Sequence, residues 1–116
     1  MSTDRIERRL ADLALFGEQA AYVVAKGREA YLADTMDAVM LRNAAERVLI
    51  KVATVVEKLP TEFTDRYPDI DWRGIGRMRN LVAHHYDAVN DDLMWAALEA
   101  RIPDLIRQLG LDSRRE

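Results

Sequence analysis

The sequence contains no cysteine, which removes disulfides, thiolate metal sites and a cysteine nucleophile from consideration. Only two histidines occur, the adjacent His84 and His85. Two neighbouring imidazoles do not make a histidine metal site, so neither a metal nor another cofactor is expected. No run of about 18 apolar residues is present that could span a bilayer. The start, Met1-Ser2-Thr3-Asp4-Arg5, lacks the apolar segment of a signal peptide, so a cytoplasmic location with no membrane contact is expected. Positive charge is also short: the formal net charge is −3. That balance argues against binding nucleic acid through bulk electrostatics and confines any RNA contact to a local patch.

What remains is the make-up of one small globular domain: 116 residues, 49% of them hydrophobic. One core is expected over residues 1–110, followed by a charged, frayed tail at 111–116. Apolar residues recur at helical steps almost everywhere, and nothing requires a strand. Ile6, Leu10, Leu13, Gly17, Ala20 and Val24 predict a first helix over residues 4–26, stopped at Gly27. A second, capped by Asp34 or Thr35, carries the stripe Ala45, Val48, Leu49, Val52, Val56, Leu59 and ends before Pro60. Residues 60–71 read as a connector with one short helical turn at 62–66. A third main helix is expected from Asp71, with Trp72, Ile75, Met78 and Val82 facing the core. A fourth follows the capping material Asn90-Asp91-Asp92 and runs through Leu98, Ile102, Leu105 and Leu109. Pro103 should kink or break it near Arg101. The fold class is therefore all-α, an up-and-down bundle of about four main helices.

One segment of this chain looks built for chemistry. Arg79-Asn80-Leu81-Val82-Ala83-His84-His85-Tyr86 brings a permanent cation, an amide, an imidazole and a phenol within eight residues, towards the end of the third helix. A guanidinium holds a phosphate through its planar fork, and an imidazole moves protons near neutral pH. Together they suffice for metal-free RNA cleavage. On an ideal helix Arg79 and Tyr86 nearly eclipse, whereas His84 lies roughly 140° from Arg79. The two tips then share one phosphate only through the reach of the arginine, a distorted last turn or a second subunit. His85 points elsewhere and is the weaker catalytic candidate.

Arg79-Asn80 followed by His84 and Tyr86 resembles the Arg-x4-His-x-Tyr pattern of HepT-type toxins in the HEPN superfamily. The resemblance extends over nearly the whole chain, through Trp72, Gly76-Arg77-Met78-Arg79-Asn80, Trp95 and Ile102-Pro103 with Leu105. It departs at Ile50-Lys51-Val52-Ala53, where the family often carries an Ile-Gly-Glu-Ala-like segment. The resemblance implies a HEPN-like bundle and a dimeric endoribonuclease toxin whose two motifs surround a shared cleft. His84 is then the general base or acid, Arg79 stabilises charge on the scissile phosphate, and Asn80 orients His84 or the phosphate. Because RNA supplies its own 2′-hydroxyl, no metal is needed and DNA is not cut. The resemblance also implies a cognate nucleotidyltransferase antitoxin of the MntA type, which attaches AMP to Tyr86 and so sets a bulky anion beside Arg79.

Each residue also has a plainer reading. Arg and His near a helix C-terminus often do no more than complement its dipole, and for an isolated pair that reading prevails. Asn80, Tyr86 and the flanking Trp72 and Trp95 tip the balance towards function. The tryptophans themselves read as core or interface anchors. Arg42, Arg47, Arg73 and Arg77 are assigned no site role, and Asp69, Asp71, Asp91 and Asp92 read as turn and cap residues. The alternative to a ribonuclease is a non-catalytic module that binds a nucleotide or a partner through the same polar motif.

Overall fold

The computed structural model describes residues 3–83 and 88–112, and every regular element among them is helical. Helix α1, Thr3–Ala25, buries Leu13, Ala20 and Val23 on one stripe, with Ile6, Leu10 and Val24 packed at its margin. Gly27, at φ 93°, stops it in a conformation that costs little only without a Cβ. Helix α2, Arg28–Leu32, is an element the apolar pattern did not reveal, because five residues are too few to show a period.

Tertiary contacts hold α2 in place. Tyr31 is fully buried, with its ring 5.2 Å from that of Trp95. Arg42 donates from Nη1 to the carbonyls of Tyr31 (2.6 Å) and Ala33 (3.1 Å), satisfying acceptors that a helix end leaves open. Its Nε lies 4.0 Å from Asp91. Arg42 thus serves the fold.

Helix α3, Met36–Lys58, is the centre of the molecule. Thr35 caps it, its hydroxyl accepting from the Ala38 amide at 3.1 Å. The whole expected stripe from Ala45 to Leu59 is buried, joined by Ala53 and Val55. After Pro60 the connector holds one short helix, α4, Thr61–Thr64, as expected. The Trp72 indole N–H donates to the carbonyls of Thr64 (3.1 Å) and Tyr67 (3.2 Å). Trp72 is therefore an anchor for this connector.

The third main helix is not continuous. It begins where expected, with Asp71 accepting from the Gly74 amide, but splits into α5, Trp72–Gly76, and α6, Arg79–Ala83. Tighter bonds cross the break, from Met78 N to Ile75 O, Asn80 N to Arg77 O and Leu81 N to Met78 O. Gly74 and Gly76 lower the helical preference of this stretch. Both glycines sit at close approaches. A Cβ on Gly76 would lie 3.3 Å from Glu57 Cγ, and one on Gly74 would run into Asp71.

The last main helix also begins earlier than expected. Helix α7 runs Ala88–Ala96, so Asn90, Asp91 and Asp92 lie inside it rather than capping it. Acids are favourable in a first turn, and here they reach back into the fold: Asp92 pairs with Arg28 at 2.5 Å and Asp91 faces Arg42. A π-helical turn, Ala97–Arg101, then leads into α8, Ile102–Gln108. Pro103 offers no N–H to the carbonyl four residues back, and the wider turn absorbs that loss. The break expected near Arg101 is thus present as a change of helix pitch. Gly110, at φ 69°, closes α8 with Leu111 N bonding Ile106 O, a Schellman ending that folds Leu111 into the core. Of the expected tail, residues 113–116 lie outside the described residues.

The result is an all-α bundle of α1, α3 and the α7–α8 rod, with the broken α5–α6 pair in the place of the fourth helix. Within its core the Tyr31 hydroxyl is buried without a hydrogen-bond partner among the described residues, and burial, reinforced by Asp91, pushes its ionisation well above the ordinary phenol value. Tyr31→Phe should therefore stabilise the protein by about 1 kcal/mol at neutral pH in a denaturant titration. The unfolded chain ionises this phenol near pH 10.0 and the folded chain does not, so stability falls as pH rises above that value. Tyr31→Phe should remove about 1.4 kcal/mol per pH unit of that alkaline slope. Destabilisation at neutral pH would show that the hydroxyl has a partner.

Candidate functional site

Arg79 opens α6 directly after the break, where its side chain turns towards α3. Its Nη2 donates to Thr54 Oγ1 at 2.9 Å and pairs with Glu57 Oε1 at 2.7 Å. Thr54 and Glu57 are three residues apart on α3, so they occupy adjacent turns of one flank. The pair is close to half exposed, at 44% for Arg79 and 49% for Glu57. Solvent screening at that exposure limits its contribution to stability to less than about 1 kcal/mol.

Around this pair opens a cleft of about 480 Å³, lined among others by Glu57, Trp72, Arg73, Arg77, Arg79 and Asn80. Among the described residues three arginines therefore line it against one glutamate, a local positive balance in a chain of net negative charge. Asn80 is exposed at its rim. The structure thus brings Arg79 and Asn80 to one opening, adds Arg73, Arg77 and Glu57 to it, and sets Thr54 against Arg79.

Those four additions were not read from the sequence as site residues. Arg73 and Arg77 share a face with i, i+4 spacing, a signal available along the chain. Thr54 and Glu57 lie more than 20 residues before Arg79, and only the packing of α3 on α6 joins them. His84 and Tyr86 lie outside the described residues, so the expected angle between Arg79 and His84 is carried by the sequence alone. On either side of them, α6 and α7 are tied together: Asn90 Nδ2 donates to Leu81 O at 3.1 Å. Among the described residues no three His, Cys, Asp or Glu side chains gather as a metal-binding group, and no helix is long and apolar enough to cross a membrane.

The sequence profile of the family described as "Ribonuclease HepT-like" matches residues 5–110. The chain belongs to the HepT-like family. It is 29% identical over 68 residues to the "Putative RNase" of Methanocaldococcus jannaschii, a match covering 59% of this chain and 56% of that protein. It is 31% identical over 70 residues to the "Putative RNase" of Caldanaerobacter subterraneus subsp. tengcongensis, covering 60% and 62%. Against the "Probable ribonuclease HepT" of Thermococcus cleftensis it is 31% identical over 62 residues, covering 53% and 56%. The chain thus spans somewhat over half the length of these curated relatives. No solved structure matches it. The resemblance read from the Arg79 motif is accordingly a family membership, and the cleft beside Arg79 is the HepT-like chain's candidate site.

The tie between α7 and α6 can be tested by itself. Asn90→Ala should cost about 1 kcal/mol of stability in a denaturant titration, the worth of a typical hydrogen bond. It should also speed amide exchange across residues 79–83, and unchanged exchange there would remove Asn90 from the support of the site.

Proposed function

We propose that this HepT-like chain is a metal-independent endoribonuclease, the toxin of a toxin–antitoxin pair. The observation that carries the reading is the placement of Arg79 and Asn80 in an arginine-bordered cleft at the start of the family motif. An acidic chain that concentrates Arg73, Arg77 and Arg79 on one opening suits a polyanion held locally. Arg73 and Arg77 engage phosphates flanking the scissile one. Membership of a family described as ribonucleases supports the same substrate class.

In the reaction, His84 removes the proton of a ribose 2′-hydroxyl, and that oxygen attacks the adjacent phosphorus. Negative charge grows on the phosphoryl oxygens, where the Arg79 fork neutralises it. The 5′-oxygen of the next nucleotide leaves with a proton returned by an acid of the site, and a 2′,3′-cyclic phosphate remains. Asn80 holds the imidazole or the phosphate in line. DNA lacks the attacking hydroxyl and is not a substrate. A homodimer brings two motifs around one cleft, which relieves the separation of Arg79 and His84 on a single helix. A cognate MntA-like nucleotidyltransferase neutralises the toxin by transferring AMP to the Tyr86 phenol, so that a bulky anion competes for the arginines and repels RNA.

Purified protein incubated with RNA in EDTA should produce cyclic-phosphate ends. His84→Ala should lower the rate by about 10²–10⁴-fold, the usual worth of a positioned acid or base. Arg79→Ala should lower it by about 10²–10³-fold. A folded wild type that leaves RNA intact would favour a non-catalytic binding module, and retained cleavage by His84→Ala would overturn the catalytic assignment. With the nucleotidyltransferase and ATP, wild type should gain AMP and lose activity while Tyr86→Phe gains none; labelling of Tyr86→Phe would place the modification elsewhere.

A further inference from the structure

We propose that Glu57, together with Thr54, is a positioning residue for Arg79. The pair holds the guanidinium by Nη2 so that its Nη1 donors are presented to the RNA phosphate. This inference rests on the reading that Arg79 contacts phosphate. Both contacts from α3 fall on the same atom: Nη2 donates to Thr54 Oγ1 at 2.9 Å and pairs with Glu57 Oε1 at 2.7 Å. Nη1 and Nε meet no acceptor among the described residues.

A hydrogen bond and an ion pair on one nitrogen restrain the place of an otherwise flexible side chain. A guanidinium carries five N–H donors in one rigid plane, so engaging Nη2 sets the direction of the Nη1 and Nε donors that remain for phosphate oxygens. The Glu57 carboxylate also repels an incoming phosphate from the Nη2 side. Approach is therefore favoured from the Nη1 side.

The surroundings support a built arrangement. A Cβ at Gly76 would lie 3.3 Å from Glu57 Cγ and 3.8 Å from Cδ, so the bare backbone of α5 makes room for the Glu57 stem at the point from which it reaches Arg79. Thr54, Glu57 and Gly76 come from two helices and converge on one arginine. The opposite role is also physically possible: a carboxylate on a phosphate-binding arginine could compete with substrate. The two roles predict opposite signs when the carboxylate is removed.

Arginine guanidinium NMR on labelled protein separates them, with the Arg79 signal assigned by its loss in Arg79→Lys. Wild type should show hindered rotation at the Arg79 Nη groups, and Glu57→Ala should show free rotation with an unchanged fold by circular dichroism. On an oligoribonucleotide, Glu57→Ala should lower kcat by about ten- to a hundredfold, as misplacement of a reacting group does, with KM unchanged or reduced. Glu57→Gln, which keeps an acceptor oxygen, should restore most of kcat. Thr54→Val should give a smaller loss of the same kind. An Arg79 signal indifferent to Glu57→Ala, or a kcat/KM that rises in that variant, would overturn the proposal. Should the wild type not cleave RNA at all, the ribonuclease reading fails by that result, while the Arg79 signal still decides whether Glu57 immobilises it.

Discussion

The constraint on which this fold depends is the width of the apolar face of α3. Val55, Val48, Val52, Ala45, Val56, Leu49 and Ala53 are all buried, and at about 100° per residue they cover an arc of roughly 160°. One neighbouring helix cannot cover so wide a face. Helix α1 takes part of it, and the α5–α6 segment takes another. Glu57, about 40° beyond one edge of the arc, and Thr54, further round the helix, are thereby brought against whatever α6 carries first, which is Arg79. The placement of the candidate site is a consequence of how the core is closed.

That coupling also explains why α5 and α6 are separate. A straight helix from Trp72 onward would have to carry side chains where the backbone lies close to Glu57. Glycine at 76 permits the approach, weakens the helix, and lets the chain turn through Arg77 and Met78 before α6 begins. Met78 is buried at this break, so the turn is pinned into the core while Arg77 and Arg79, on either side of it, remain exposed to solvent. A break that costs helical hydrogen bonds thus gathers basic side chains around one opening.

Long-period features were legible in the sequence, and short or non-local ones were not. The stripes of α1 and α3, the stop at Gly27, the Thr35 cap and the disturbance caused by Pro103 all follow from local rules acting over many residues. Helix α2 escaped notice because its stability comes from the buried Tyr31 ring and the Arg42 bonds, which are tertiary. The start of α7 was misplaced because Asn90-Asp91-Asp92 is good capping material, yet those side chains are spent on α2, α3 and the carbonyl of Leu81. In the candidate site, Arg79 and Asn80 were named from the motif itself. The acceptors on α3 were not, since no spacing rule links residues 54 and 57 to residue 79.

The central claim is that RNA at this site is cut by its own 2′-hydroxyl. A defined oligoribonucleotide, first mapped for its cleavage position and then remade with a single 2′-deoxy residue immediately 5′ of the scissile phosphate, tests that claim most directly. The account predicts that cleavage at that bond disappears while binding is retained. Continued cleavage there at an undiminished rate would mean that water or another group attacks the phosphorus, and would contradict it.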